Sequence, residues 1–278
     1  MQDTKKEGDK MKNTMKRPVA IPVENLHPFT GHPFKVKDDE EMNTLIESIQ
    51  TQGVLSPLIV RPIENTEEYE VISGHRRLHA AVKAGISEVP ALIYALDRDA
   101  AAIAVVDSNL HREHILPSEK AFAYKLKADA LKHQGQRTDI TSEQIAPKLS
   151  TEVIGEQEGI SKDTVKRYIR LTELIPELLD MVDEKKIALN PAYELSFLKK
   201  EEQRDLLDAM DSEQATPSLS QAQRLKKYSQ EGHLTLDMMR VIMGEEKKSD
   251  LDKVTFTSDT LRKYFPKSYT PQRMQETI

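Results

Sequence analysis

The sequence contains no cysteine, and only 5% of its 278 residues are aromatic. The absence of cysteine excludes disulfides, thiolate chemistry and cysteine-ligated zinc, and it agrees with a reducing compartment. No run of about 18 apolar residues occurs, so we expect no membrane span. Residues 1–16 are polar and charged without an apolar centre, so we expect a disordered tail there and no signal peptide.

Charged residues make up 31% of the chain, and the formal net charge is −6. This balance argues against indiscriminate nucleic-acid binding by the whole surface, although a local basic patch is compatible with it. The length is enough for two or three small domains. Together with the low aromatic content, it indicates a helical protein of several modules.

Residues 17–95 have the pattern of a small mixed α/β domain. Alternating apolar residues predict strands at 17–26, 57–61, 69–72 and 89–94. An amphipathic helix is predicted at 38–52, with Asp38 as its N-cap and Glu41 completing a capping box. The rest of the chain is predicted to be mainly helical, at 100–110, 117–134, 141–149, 176–185, 191–198, 201–210 and 234–244, with a linker at 211–220, a short strand at 254–256, a helix start at 258 and a turn at 265–271.

An arginine-rich turn follows the strand at 69–72. Ser73 and Gly74 form the turn, and the predicted helix 75–84 begins with His75, Arg76 and Arg77. Cations in the first turn oppose the helix dipole, at about 0.3–1 kcal/mol each. A strand, a glycine turn and two arginines above free backbone N–H groups favour a phosphate site. The alternative is a surface helix that carries basic residues.

A second polar group lies at the end of the predicted helix 100–110. Asn109, His111 and Arg112 follow Asp107 and Ser108 there. Asparagine, histidine and arginine at a helix end can complete a phosphate site. The alternative is that Arg112 forms an ordinary surface pair with Glu113.

Residues 153–171 have the spacing of a helix-turn-helix. Gly155 lies four residues before Gly159, and Val165 and Ile169 open a second apolar stripe. Four cations and one carboxylate on the outer face of the second helix leave a local charge of +3, which predicts DNA recognition rather than a plain helical hairpin. The predicted DNA-binding residues are Ser161, which caps the helix, and Lys162, Asp163, Thr164, Lys166, Arg167 and Arg170.

The three motifs, in this order and at this spacing, resemble those of ParB/RepB-type partition proteins over roughly residues 17–200. The resemblance implies an α+β fold: a ParB/sulfiredoxin-like N-terminal domain followed by an all-α helix-turn-helix domain. It also implies CTP and Mg²⁺ as cofactors, with weak CTP hydrolysis left open, and a clamp that closes on DNA. The implied nucleotide-binding residues are Ser73, Gly74, His75, Arg76, Arg77, Asn109, His111 and Arg112, with Asn109 also a metal contact.

The same resemblance implies partners and a location. These are double-stranded DNA with an inverted-repeat site, a ParA-type ATPase and a second copy of the chain, in the nucleoid-associated cytoplasm. The expected divisions are a tail at 1–16, a nucleotide-binding domain at 17–115, a DNA-binding domain at 116–210, and a region of unknown role at 211–278. By elimination, this last region is the candidate for self-association.

The chain departs from the family pattern at four places. His75 and Ser108 replace glutamates, His111 replaces a glutamine, and His32-Pro33-Phe34 replaces Gln-Pro-Arg. Residues 147–151 are read as an insertion. Because Ser108 stands where the family has an acid, we expect nucleotide hydrolysis to be slow or absent.

Two alternative functions remain at this point. One is a ParB-like transcription regulator or nucleoid-associated factor that uses no nucleotide. The other is a ParB-fold small-molecule kinase, for which Asp107 and Glu113 are the candidate acids. Sulfiredoxin-like chemistry is excluded, because that reaction needs a cysteine.

Overall fold

The computed structural model describes residues 17–137 and 146–245, together with Phe265 and Thr270. Its first part is a five-stranded mixed sheet with strand order β1-β5-β3-β4-β2. The β1–β5 and β3–β4 pairs are antiparallel, and the β3–β5 and β2–β4 pairs are parallel. The elements of this part are β1 Val19–Pro22, a 3₁₀ turn Val23–Asn25, β2 Leu26–Pro28, α1 Glu40–Gln52, β3 Leu58–Pro62, β4 Tyr69–Ser73, α2 His75–Lys83, β5 Glu88–Ile93 and α3 Arg98–Asp107.

Helices cover both faces of the sheet. Val71 and Ile72 are neighbours on β4, so their side chains point to opposite faces. Val71 belongs to the cluster formed with α1 and α2, in which Met42 and Leu78 are buried. Ile72 belongs to the cluster formed with α3, around Val105. The turn from β4 into α2 therefore leaves the sheet between two packed layers.

The second part is all-helical within the described residues. Its elements are α4 Pro117–Arg137, α5 Ala146–Glu158, α6 Lys162–Leu171, α7 Pro176–Asp183, α8 Leu189–Leu195, α9 Lys200–Ser212, α10 Leu219–Gln230 and α11 Leu236–Met243. Leu171, Leu195, Leu206, Leu225 and Met239 belong to one buried cluster that α6 to α11 share. The helical core therefore continues past residue 210.

Helix α4 joins the two parts. Tyr124 on α4 packs in one cluster with Phe34 from the N-terminal part, Val106 on α3, Ile154 on α5 and Val165 on α6. Each partner comes from a different element, so the position of the helix-turn-helix is fixed relative to α3 through this helix.

The predicted fold class is confirmed: a mixed α/β domain precedes a helical region. The predicted strand 17–26 is wrong in its extent, because it ends at Pro22 and a 3₁₀ turn separates β1 from β2. The predicted cap of α1 is also wrong. Asp39 accepts the Met42 backbone N–H at 2.9 Å, whereas Asp38 bonds His79 and Lys83.

Two other features of the helical part were not predicted. Helix α10 follows part of the stretch that was read as a linker, and its N-cap Ser218 forms a capping box with Gln221. Residues 147–151, read as an insertion, lie within α5, which begins at Ala146 and replaces the end of the predicted helix 141–149. The predicted tail 1–16, the strand 254–256 and the helix from 258 lie outside the described residues.

Among the described residues, no helix combines the length and the apolar character needed to cross a membrane. This agrees with the expectation from the sequence.

The crossing of α5 and α6 depends on a close approach at Gly155. A Cβ atom added there would lie 2.7 Å from the backbone oxygen of Ile160, whereas real Cβ contacts essentially never fall below 3.0 Å. We expect Gly155→Ala to reduce the free energy of unfolding by about 1–3 kcal/mol, because the backbone must shift to admit the methyl group. Urea unfolding measures this change. The control is Glu156→Ala, on the exposed face of the same helix, and an equal effect of the two variants would contradict the close approach.

Candidate functional site

The N-terminus of α2 is an uncapped helix end next to the sheet. Gly74 has φ +106° and provides no side chain to cap the helix. The Leu78 N–H bonds the Gly74 carbonyl, so the helical pattern begins there. The N–H groups of the first turn have no intrahelical acceptor and can bind an anion.

Arg77 stabilises the turn itself. Its Nη1 donates to the carbonyl oxygens of Ser56 at 2.5 Å and Pro57 at 2.8 Å. The guanidinium also lies against Gly74, where an added Cβ would be 3.2 Å from Nη2. Desolvation lowers the pKa of Arg77. Its charge is therefore used to hold the β3 approach against α2.

Arg76 has weaker and more exposed partners. Its Nη2 lies 3.3 Å from both Asp39 and Glu41 at the start of α1. The side chain of Glu41 is 84% exposed, and exposed ion pairs contribute about 0–1 kcal/mol. Arg76 can therefore exchange these carboxylates for a stronger anion at small cost.

His75 faces the protein interior. It is 8% exposed, its Nε2 accepts a long hydrogen bond of 3.5 Å from the Phe29 N–H, and it also bonds the backbone of Val71. Burial, with smaller contributions from His32 and Arg112, lowers its pKa to about 3. The imidazole is neutral at physiological pH, so it reaches an anion only through its backbone N–H.

The second motif lies beside the first. Arg112 is exposed, with its guanidinium carbon 5.6 Å from the centre of the Phe34 ring. Desolvation lowers the pKa of Arg112, Glu119 raises it and Arg76 lowers it further. The electrostatic effect of Arg76 on Arg112 shows that the two predicted motifs form one cationic region.

Asn109 and His111 differ in their positions. Asn109 is buried, and its Nδ2 donates to the Val105 carbonyl at 2.7 Å and to the Ser108 hydroxyl at 3.2 Å. His111 is exposed. Ser73, at the end of β4, is half-buried.

The residues around Asn109 were tested for a fit to Mg²⁺. Mg²⁺ is usually held by one or two carboxylates together with the phosphates of its substrate. Among the described residues, no group of three or more histidine, aspartate or glutamate side chains could hold a metal ion. Asn109 retains its amide oxygen as a ligand atom, since its hydrogen bonds use Nδ2. The site thus fits an ion carried by nucleotide phosphates but does not fit a resident ion.

Asp107 is committed elsewhere. Its carboxylate bonds the ammonium of Lys127 on α4, which is 2% exposed, and Lys127 also donates to Gln157 on α5 at 2.5 Å. Because the buried cation requires this partner, Asp107 is not free to replace the acid that is missing at Ser108.

The predicted DNA-binding residues lie at the start and along the outer face of α6. The Ser161 hydroxyl accepts the Thr164 N–H at 3.1 Å and caps the helix. Lys162 pairs with Glu152 at 2.7 Å, and Lys166 pairs with Asp163 at 3.4 Å. These pairs are exposed and weak, so both ammonium groups can turn to phosphates or bases.

The two arginines of α6 contact α8. Arg167 is exposed and donates to the Asn190 side chain at 3.1 Å. Arg170 donates to the Ser196 carbonyl at 3.0 Å and lies 4.4 Å from the centre of the Phe197 ring. Arg170 therefore orients α6 on α8, and its predicted contact with DNA stays a prediction.

A mixed α/β domain with a cationic helix N-terminus, followed by a helix-turn-helix, defines a class of DNA-binding proteins. Comparison with known proteins gives the family. The family model described as the ParB N-terminal domain matches residues 4–110, and the one described as the ParB HTH domain matches residues 127–231. The chain belongs to the ParB family of chromosome-partitioning proteins.

Two relatives illustrate this membership. The chromosome-partitioning protein Spo0J of Thermus thermophilus is 34% identical over 185 residues, which cover 66% of this chain and 61% of that protein. The nucleoid occlusion protein of Geobacillus thermodenitrificans is 31% identical over 208 residues, covering 74% and 68%. The chain thus spans about three fifths of the length of the first of these relatives.

Solved structures include two of C-terminally truncated ParB from Caulobacter crescentus. The complex with CTP-γ-S has 27% identity and a TM-score of 0.32, and covers 64% of this chain and 91% of that one. The complex with the centromeric parS site has 22% identity and a TM-score of 0.42, and covers 81% and 98%.

The structure brings together most of the residues predicted for the nucleotide site, but two contacts were missed. His32 stacks on His75, and Glu119 on α4 lies near Arg112. The sequence had marked position 32 as a departure from the family pattern. Neither periodicity nor a motif indicates that two residues 43 positions apart are in contact.

The two arginines of α2 should differ in their effect on stability. We expect Arg77→Ala to lower the free energy of unfolding by about 1.5–3 kcal/mol, because the variant loses the charged donor to the Ser56 and Pro57 carbonyls. Arg76→Ala should cost less than about 1 kcal/mol, because its pairs are exposed. Urea unfolding of both variants tests this, and equal losses would contradict the anchoring role of Arg77.

Proposed function

We propose that this protein is a sequence-specific DNA-binding protein of the chromosome, plasmid or mobile-element partition type, switched by a nucleotide, CTP. The observation that carries the proposal is the meeting of two predicted motifs at the uncapped N-terminus of α2. Arg76, Arg112 and free N–H groups converge there, in the chain that also contains the helix-turn-helix.

The triphosphate would bind the N–H groups of residues 75–77 and the guanidinium groups of Arg76 and Arg112. Three cationic or dipolar donors in one place repel one another, as the effect of Arg76 on the pKa of Arg112 shows. A polyanion relieves this repulsion. CTP is the nucleotide that the family resemblance implies, and Mg²⁺ would arrive with its phosphates and contact Asn109.

DNA would bind along α6. Lys162, at the N-terminal end, is placed for base edges, and Lys166 and Arg167 are placed for bases or phosphates. Because helix-turn-helix proteins commonly read two half-sites as dimers, we propose a homodimer on an inverted repeat. Residues 211–278 contribute to self-association in this proposal, although α10 and α11 also form part of the helical core.

The nucleotide and DNA sites would be coupled through α3 and α4. Asp107 ends α3, two residues before Asn109, and Lys127 connects it to Gln157 on the first helix of the helix-turn-helix. A shift of the second motif on nucleotide binding would reach α5 through this contact. This path supports a clamp whose grip on DNA depends on nucleotide.

The further parts of the proposal rest on family resemblance. They are a ParA-type ATPase as partner and a nucleoid-associated position in the cytoplasm. Hydrolysis of CTP would be slow or absent, because Ser108 is not an acid and Asp107 is held by Lys127. The protein acts here as a binding protein rather than a dedicated enzyme.

One observation favours a second candidate, a regulator that uses no nucleotide. Both arginines of α2 already have acceptors within the protein, Arg76 in carboxylates and Arg77 in carbonyl oxygens. In that case the same turn would only be structural, and a nucleotide-binding measurement separates the two functions.

Arg76→Ala should weaken CTP binding at least about tenfold, because one charge-assisted arginine–phosphate contact contributes roughly 1.5–3 kcal/mol. Calorimetry of the full chain with CTP, ATP and GTP, with Mg²⁺ and with or without specific DNA, measures this. Arg204→Ala, an exposed arginine on α9, is the matched control. If the unaltered protein binds no nucleotide even with its DNA present, the regulator without nucleotide is the better function.

The DNA face is tested by the double variant Lys166→Ala with Arg167→Ala. We expect weaker DNA binding and a salt dependence reduced by about one to two phosphate contacts, since each contact releases counterions. The control removes the same two charges at Arg204 and Lys227, on α9 and α10. Unchanged DNA affinity at physiological salt in the α6 variant would show that α6 does not recognise DNA.

A further inference from the structure

His32 has one ring nitrogen bonded and one unbonded. Its Nδ1 lies 2.8 Å from the carbonyl oxygen of Phe34. A carbonyl oxygen only accepts, so the hydrogen resides on Nδ1 and Nε2 carries a lone pair. That Nε2 is buried and has no hydrogen-bond partner among the residues that the structure describes.

The ring of His32 stacks on that of His75, with centroids 3.7 Å apart and planes inclined by 37°. His75 is fixed by the backbone of Phe29 and Val71. Both histidines stand where the family pattern has other residues, so two departures from the pattern are in direct contact. The stack places the unbonded Nε2 at the start of α2.

The charged groups around His32 come from three elements. Arg112 follows α3, Glu119 is on α4 and the neutral His75 is on α2. Burial lowers the pKa of His32, the bond to Phe34 raises it, Arg112 lowers it and Glu119 raises it. Glu119 is itself occupied, since it accepts the backbone N–H groups of Lys35 and Leu116. The cationic side therefore dominates the free site, and His32 is neutral there.

On this basis, and resting on the nucleotide site proposed above, we propose that His32 takes up one proton when a nucleoside triphosphate binds and donates it from Nε2 to a phosphate oxygen. The proton comes from solvent, and no covalent bond forms or breaks. The anion offsets the charge of Arg112, and the neutral ring of His75 can stack on one imidazolium. The unbonded nitrogen thereby gains a partner in the bound state.

The pH dependence follows from the direction of the change. The bound state has the higher pKa at His32, so the extra affinity is complete below the free pKa. It is lost as the pH rises through the bound pKa. Because the free pKa is below 6.5, CTP should bind more tightly to the unaltered protein as the pH falls from about 8 to 6.

The test is calorimetry of CTP with Mg²⁺ and the full chain, across this pH range and in two phosphate-free buffers of different ionisation enthalpy. The variant is His32→Gln, which cannot titrate. His233→Gln, an exposed histidine between α10 and α11, is the control. The ionisation of CTP is the same for all three proteins, so their differences report the protein alone.

We expect the unaltered protein and His233→Gln to take up as much as one proton more than His32→Gln. Their affinity should gain up to about tenfold per pH unit relative to that variant. Two results would overturn the inference while leaving the nucleotide site intact: pH profiles of the same slope in all three proteins, or an equal loss for His32→Gln at every pH. If the unaltered protein binds no CTP at any pH, the nucleotide site itself is wrong.

A second measurement uses the unaltered protein, so it does not depend on the folding of a variant. The ring carbon resonance of His32 is followed by NMR against pH, with and without CTP. Its titration midpoint should rise when CTP is present. An unchanged midpoint in the presence of saturating CTP would overturn the inference.

Discussion

The ammonium of Lys127 is the constraint on which the arrangement of the two halves depends. It is 2% exposed on α4 and bonds Asp107 at the end of α3 and Gln157 on α5. An unpaired buried charge costs several kcal/mol, so α3 and α5 must keep these partners in place. The apolar cluster of Tyr124, Phe34 and Val165 fills the space around the same junction. Together they hold the second arginine motif and the helix-turn-helix in one framework, and they leave Asp107 no freedom to act in the nucleotide site.

The cationic site at α2 divides its work between two arginines. Arg77 is used inside the protein, where its carbonyl partners keep the turn at Gly74 closed. Arg76 has only exposed carboxylates, which an anion can replace at small cost. Arg112 approaches from the other motif without a close carboxylate of its own among the described residues, since Glu119 is bonded to two backbone N–H groups. The site is therefore built in advance around a structural arginine, with Arg76 and Arg112 left for a ligand.

Local patterns predicted most of the elements and the two arginine motifs, because apolar periodicity and glycine turns are set by nearby residues. Helix α10 was missed because serine, threonine, proline and glutamine before it are typical of a linker, whereas its burial against α8 and α11 is a tertiary effect. The cap of α1 was placed one residue early, since Asp38 and Asp39 are chemically alike and only the structure turns Asp38 toward Lys83. The sequence could not predict which arginine is structural, nor the stack of His32 on His75, because both depend on residues far apart in the chain.

Coupling between the nucleotide site and the DNA face is the central claim, and reciprocal binding measures it most directly. The affinity of the protein for its DNA site is determined with and without CTP, and the affinity for CTP with and without that DNA. Coupling free energies are reciprocal, so we expect both affinities to change by the same factor, different from one. We also expect the factor to fall toward one in Lys127→Met, where the link between α3 and α5 is broken. If the two ligands leave each other's affinity unchanged, the sites are independent, and the protein is not a nucleotide-switched DNA-binding protein.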